Sequence, residues 1–167
     1  LTVCSDVREL ILSGNHITDI MPLQSLLALK KLYLGGNPIT DIAPLSHLNK
    51  LQYLNLTKTD VKDLSPLESL KNLKELSIES TPINDYRPLK NVKLNTLSVS
   101  ILNYEQFVSI TDISHLKQLH IHQLEGVTEA DLMLLAKLKK LEALTIENFA
   151  FNDLDFLTQN QKLKKLT

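Results

Sequence analysis

Apolar residues along this chain recur on neither a helical nor a strand period. In "ITDIAPLSHLNKLQYLNL" (Ile39 to Leu56) the gaps between them are uneven, whereas a helix needs a spacing near 3.6 residues and a strand one of 2. The same stretch comes back: "ITDIMPLQSLLALKKLYL" precedes it and "VKDLSPLESLKNLKELSI" follows it. Its core, L-x-x-L-x-L, begins at Val7, Leu29, Leu51, Leu73, Leu94, Leu116, Leu141 and Leu163, in steps of 22, 22, 22, 21, 22, 25 and 22 residues. Self-similarity on this scale marks a solenoid, in which each repeat buries its apolar face only by stacking on its neighbours.

The pattern inside one repeat assigns its parts. In "KKLYL", Leu32 and Leu34 alternate with Lys31 and Tyr33, as in a short strand with one face buried. Asp recurs after the strand and turn, at positions 19, 41, 63, 85, 131 and 153, with Gln106 in the fifth repeat. Proline follows three residues later in the first four repeats, as Pro22, Pro44, Pro66 and Pro88. Asp can accept from the first free N–H groups of a helical turn, and Pro brings a preset φ where no N–H is needed. The next pair, Leu45 and Leu48, stands at i, i+3, so one short helical turn buries both. Each repeat is therefore strand, turn, short helical segment and return. The pattern predicts a parallel sheet of strands centred on Leu10, Leu32, Leu54, Leu76, Leu97, Leu119 and Leu144, with Leu12, Leu34 and Leu56 buried beside them. Strands pack closer than helical segments can, so the stack should curve with its sheet inside.

These residues resemble the leucine-rich repeat superfamily, and "LKKLYLGGNPITDIAPLSHLNK" is similar to the 22-residue class of the bacterial internalins. The likeness covers nearly the whole chain. It implies an α/β fold: a curved solenoid with a parallel sheet on the concave face and short helical segments on the convex face, in a single domain over residues 1–167. It also implies a non-enzymatic module that recognises another protein, at a bacterial surface or secreted. An intracellular scaffold or regulatory segment of a larger signalling protein is the alternative, because one repeat fold serves many partners.

Two departures matter. The turn position that holds the family's Asn reads Asn15, Asn37, Thr59, Thr81, Leu102, Leu124 and Phe149, so a hydrogen-bonding row becomes apolar halfway along. Tyr104, Phe107, Phe149, Phe151 and Phe156 gather in that second half and read as core filling after a change in cross-section. The sixth repeat carries three extra residues. There "GVTEADLMLLAKLKKL" places Asp131 three after Thr128, a capping-box-like start, and Leu132, Leu135 and Leu138 recur behind it. It is similar to longer leucine-rich repeats and predicts that Thr128 to Lys139 is the longest regular helix, on the convex side.

Composition narrows the function. The chain has 167 residues, 18 Lys plus Arg against 19 Asp plus Glu, a net charge of -1, one cysteine and no Trp. That balance offers no electrostatic case for nucleic acid or an anionic membrane, and no apolar run is long enough to span a bilayer. Leu1 and Cys4 fall on the slots of Leu45 and Leu48, "LKKLT" stops within a strand, and no polar cap is visible at either end. The sequence therefore reads as about seven and a half repeats of something longer. Phosphate-loop, dinucleotide, nucleophile-elbow and zinc-protease motifs are missing, no cofactor is implied and no small-molecule substrate is evident. A metal site has one weak candidate: His120 and His122 at i, i+2 on a strand, with Glu147 one strand away. A polar, solvated face explains these three residues more simply, and no specific metal binding is expected of them.

The solvent-facing sheet positions form two columns, one running Glu9, Lys31, Tyr53, Glu75 and onward, the other Ile11, Tyr33, Asn55, Ser77, Ser98 and His120. Most are small or polar. Ile11, Tyr33 and Tyr53 break the pattern on adjacent repeats, and exposed aromatics on a rigid sheet suit an interface. The sequence thus predicts a concave partner site for a protein or peptide, with Ile11, Tyr33 and Tyr53 as anchors and Lys31, Asn55 and Glu75 as rim.

Overall fold

The computed structural model describes residues 6–150, 152 and 155–167. Leu1, Cys4, Phe151 and Asp153, on which expectations were placed above, lie outside them. Among the described residues eight strands form one parallel sheet in chain order: β1 (Glu9–Ile11), β2 (Lys31–Tyr33), β3 (Tyr53–Asn55), β4 (Glu75–Ile78), β5 (Thr96–Ile101), β6 (Gln118–Leu124), β7 (Ala143–Ile146) and β8 (Lys165–Leu166). The register follows the repeat. Leu10, Leu32, Leu54, Leu76, Leu97, Leu119, Leu144 and Leu166 stand opposite one another in an unbroken column. The sheet lines the concave face of the solenoid and the helical segments its convex face. From Leu32 to Leu144 the column is buried, while Leu10 and Leu166 are half-buried in the terminal strands. For the same reason Leu12 is half-buried rather than buried, because β1 has a partner on one side only. Each fully buried leucine contributes about 2 kcal/mol through area removed from water.

The convex segments of the first four repeats are 3₁₀ helices: Met21–Ser25, Ala43–His47, Ser65–Ser69 and Arg87–Asn91. Each has its proline at the second position, where no N–H is required. The aspartates act as expected: Oδ1 of Asp19, Asp41, Asp63 and Asp85 accepts from the backbone N–H two residues on, at 2.7 to 2.8 Å. In a 3₁₀ helix side chains three apart eclipse, so Leu45 and Leu48 both reach full burial.

A helical segment forms within the predicted stretch Thr128 to Lys139, but it is a 3₁₀ helix and shares its length of eight residues with a helix in the fifth repeat. Among the described residues the α-helix is α1 (Tyr104–Thr111), in the fifth repeat, and Ala130–Lys137 of the sixth is an eight-residue 3₁₀ segment. The reason is the spacing of what is buried. Leu132, Leu135 and Leu138 step by threes and all are buried, which suits three residues per turn; an α-helix would rotate them off one line. In α1 the buried Gln106, Phe107 and Ile110 stand at i, i+1, i+4, the stripe of a 3.6-residue helix. Asn103 caps it, its side chain accepting from the Gln106 N–H at 2.9 Å. The capping box at Thr128 does form, with the Thr128 N–H and hydroxyl donating to Asp131 at 2.8 and 2.6 Å, but it opens a 3₁₀ turn.

The turn row explains the change in cross-section. Asn37 is buried and donates to the carbonyls of Leu34 and Leu12 at 2.7 and 2.9 Å, while its oxygen accepts from Ile17 N–H at 3.0 Å. It ties two repeats together. Thr59 and Thr81 keep only the bond within their own repeat, to Leu56 and Ile78. Beyond them Leu102 is 45% exposed and Leu124 half-buried. Of the second-half aromatics, Phe107 and Phe156 fill the core and Phe149 packs partly against it. Tyr104 does not: at the first position of α1 it is 42% exposed.

Candidate functional site

The sheet's solvent face is built by the same register that builds the core, because alternate residues of a strand point to opposite faces. Lys31 lies opposite Glu9 and Tyr53, and Tyr53 opposite Glu75; Tyr33 lies opposite Ile11 and Asn55. Tyr33 and Tyr53 are therefore diagonal neighbours on β2 and β3. Their ring centroids are 4.7 Å apart with the planes tilted by 37°, close for a diagonal pair. Both rings are half-buried, while Ile11 is 68% exposed beside them. Isoleucine and two tyrosines thus form one surface patch on adjacent strands.

Its rim is unevenly free. Lys31 Nζ lies 3.5 Å from Glu9 Oε2, both side chains about half exposed, and such a pair is worth little and is easily exchanged for a partner's charge. Glu75 is exposed. Asn55 is less available: its Oδ1 accepts from Thr57 N–H at 2.9 Å. That oxygen also explains Gly35, where a Cβ would meet it at 2.8 Å and the Thr57 carbonyl at 3.0 Å. Glycine stands there for want of room.

The weak metal candidate resolves into a pair. His122 Nδ1 lies 2.7 Å from Glu147 Oε2, both about half exposed. His120 stands opposite Thr145 on β7. Among the described residues no group of three His, Cys, Asp or Glu side chains is placed to hold a metal ion. The pairing of β5 with β6 shifts register after Val99: Val99 faces Ile121 and Ser100 faces Gln123, which leaves His122 as the extra residue of a bulge. The register of β6 with β7, Ile121 opposite Ile146, already sets Glu147 beside His122, and the bulge concerns only the β5 side of the strand. Repeat periodicity gives no warning of it, because the bulge depends on how far two unusually long strands run together.

Among the described residues the buried polar side chains are satisfied within the fold. Gln106, on the slot that holds Asp elsewhere, is buried; its oxygen accepts from Leu102 N–H at 2.6 Å and its amide donates to the Ile83 carbonyl at 2.7 Å. Among the described residues no buried side-chain nitrogen or oxygen lacks a partner, and no helix is long and apolar enough to cross a membrane.

Known proteins place the fold. A family model described as Leucine Rich repeats (2 copies) matches residues 6–48 and again 49–91. No curated protein matches in sequence. Among solved structures, internalin C2 of Listeria monocytogenes is similar at 26% identity and a TM-score of 0.79, over 98% of this chain and 71% of that one. An internalin (inlF) of the same organism is 27% identical with a TM-score of 0.65, and this chain covers 52% of its length. A Leptospira interrogans LRR protein is 25% identical with a TM-score of 0.72, covered over 43% of its length. The repeat these proteins share is in general a protein-interaction module. With the repeat model covering half of its length and eight strands in the register that repeat demands, the chain belongs to the leucine-rich repeat family.

Proposed function

We propose that this chain is a non-enzymatic recognition module that holds a protein or peptide on its concave face, with Ile11, Tyr33 and Tyr53 as anchors and Lys31, Glu75 and Asn55 around them. The observation that carries the reading is the tyrosine pair at 4.7 Å beside an isoleucine exposed to 68%, on a sheet face whose other side chains are mostly small or polar. Burial there gains apolar area that the rest of the face does not offer. Each tyrosine keeps a hydroxyl for a hydrogen bond and loses few rotamers on binding. The likeness to internalins supports a secreted or surface setting in a bacterium.

The test is selection of peptides from a displayed random library on the intact chain, followed by titration against Tyr33→Ala and Tyr53→Ala. A buried aromatic anchor typically costs about 2 kcal/mol when truncated, close to a thirtyfold loss of affinity. Melting temperature should stay within about 2 °C, since these side chains point away from the core. Selected peptides that bind both variants like the parent, yet lose affinity on changes to the convex segments, would sink the proposal.

A further inference from the structure

A net charge of -1 conceals a strong segregation. Each repeat has an inbound arc, from the last two residues of its helical segment to the first residue of the next strand, and an outbound arc on the other side. By chain position the inbound arcs hold 15 of the 18 Lys and Arg residues and 6 of the 19 carboxylates. The outbound arcs hold the other 3 bases and 13 carboxylates. Setting aside Lys31, Lys165, Glu9 and Glu75, which stand in the solvent-facing sheet column, the inbound arcs still hold 13 bases against 4 carboxylates, so one long edge of the solenoid is basic.

The basic edge is densest over the last three repeats. Lys117, Glu142 and Lys164 occupy one slot in successive repeats: the Lys117 carbonyl accepts from Glu142 N–H at 2.7 Å, and the Glu142 carbonyl from Lys164 N–H at 2.8 Å. His115, Lys140 and Lys162 occupy the slot two residues earlier. Glu142 is the lone carboxylate amid these lysines, and they act on it together. Its carboxyl is held below its ordinary value first by the hydrogen bond from Lys164 (2.8 Å) and then by the charges of Lys164, Lys117 and Lys162. One carboxylate cannot neutralise this group. Lys139, Lys140, Lys162 and Lys165 are exposed.

A cleft of about 310 Å³ opens on the same edge between the last two inbound arcs. Lys139 and Lys162 line it, with Gln159, Asn160 and Gln161, over a floor that includes Leu138 and Leu141. The carboxamides of Gln159 and Gln161 both donate and accept, which suits hydroxyl groups as well as anions, while that of Asn160 is buried and donates to the Phe156 carbonyl. Phe, Tyr, Trp and Arg are missing from these three inbound arcs, so the imidazole of His115 is the one ring they offer for stacking a base, and they hold no guanidinium fork for bidentate phosphate recognition.

We infer that the inbound edge of the last three repeats binds an anionic polysaccharide of high charge density, with a sugar unit in the cleft between Lys139 and Lys162 and its sulfate esters on the surrounding lysines. This surface is separate from the tyrosine patch on β2 and β3 and does not depend on it. It also revises what the overall charge balance suggests, because segregated charge attracts a polyanion where averaged charge does not.

The test is titration of the full chain with a defined heparin octasaccharide at low salt, beside uncharged dextran and single-stranded DNA of equal charge. Heparin should bind, dextran should not, and affinity should fall steeply as salt rises. Lys139→Gln with Lys162→Gln should weaken heparin binding about tenfold or more, at an unchanged melting temperature. Lys58→Gln with Lys62→Gln, two bases on the outbound side, should change it less than about twofold. Three results would overturn the inference: no heparin binding at low salt, equal losses in both double variants, or tighter binding of DNA than of heparin.

Discussion

The hydroxyl of Tyr86 donates to the backbone carbonyl of Ser100 at 2.8 Å, across the boundary where the 22-residue step shortens to 21. Tyr86 stands where the earlier repeats carry Ile20, Ile42 and Leu64, and it is as buried as they are. Its ring fills the wider layer that begins there, and its hydroxyl satisfies a carbonyl next to the bulge in β6. Burial pushes the phenol well above its ordinary pKa, so it remains a donor wherever the chain is folded. Ser100 answers from its side chain, accepting from Ser80 N–H at 3.1 Å.

Tyr86→Phe should therefore cost about 1 kcal/mol in urea unfolding, the net worth of one buried hydrogen bond. Tyr86→Ala should cost about 3 to 5 kcal/mol, because an aromatic-sized cavity opens in the core. A Phe variant as damaging as the Ala variant would mean that the hydroxyl, and not the ring, sets the shape of this layer.

Asn37 should be among the most sensitive polar positions. Asn37→Ala removes three hydrogen bonds and leaves the Leu34 carbonyl and the Ile17 N–H, in two different repeats, without their partner, for a cost of about 3 kcal/mol. Asn15, at the equivalent position, is exposed and bonds only within its own turn, to the Leu12 and Ser13 carbonyls. Asn15→Ala should stay within about 1 kcal/mol. Comparable losses from the two would show that stacking between repeats adds nothing to the row.

How much of this was legible can be read from particular residues. The leucine column was, because one repeated offset fixes both the strand phase and its register. So was the diagonal of Tyr33 and Tyr53, which follows from the same offset. The type of helix was not: Leu132, Leu135 and Leu138 lie three apart, a spacing that a single turn of α-helix tolerates too, and only the burial of all three on one line marks it as the eclipsed face of a 3₁₀ helix. The exposure of Leu102 and Tyr104 was hidden too, since an apolar residue in a row of buried ones looks like core. Nor did the repeat pattern show that Asn55 is partly committed to Thr57.

Acid should loosen the convex turns. The Asp63 carboxyl is held below its usual 3.8 by the Ser65 N–H and then the Ser65 hydroxyl, Asp85 chiefly by the Arg87 side chain, and Asp131 by the Thr128 hydroxyl and N–H. Each is depressed in the folded state. Each therefore adds stability that is present above the unfolded value near 3.8 and is lost as pH falls through the lower folded values. Melting temperatures should be flat near neutrality and fall below about pH 4. Asp63→Asn keeps an acceptor for the Ser65 N–H but no longer titrates, so its melting temperature should fall less steeply there than the parent's. An equal slope would assign the acid loss to other carboxylates.

Gly35 and Asn55 offer a test that separates structure from recognition on the concave face. Gly35 carries no positive φ, so its requirement is steric: a methyl group would press on Asn55 Oδ1 at 2.8 Å and on the Thr57 carbonyl at 3.0 Å. Gly35→Ala should destabilise the chain by about 1 to 2 kcal/mol, the usual range for overpacking. Asn55→Ala alone removes the bond to Thr57 N–H and should cost about 1 kcal/mol. In the double variant the side-chain clash is gone while the carbonyl contact stays, so the combined loss should fall short of the sum by about 0.5 kcal/mol or more. Additive losses would place the strain at the Thr57 carbonyl. The same Asn55→Ala protein then reports on binding: affinity for a concave-face peptide should change less than about threefold, because the amide oxygen already serves Thr57 and the anchors lie on Tyr33 and Tyr53. A loss as large as that of Tyr53→Ala would make Asn55 an anchor, and the hydrogen bond to Thr57 the means by which the fold aims it.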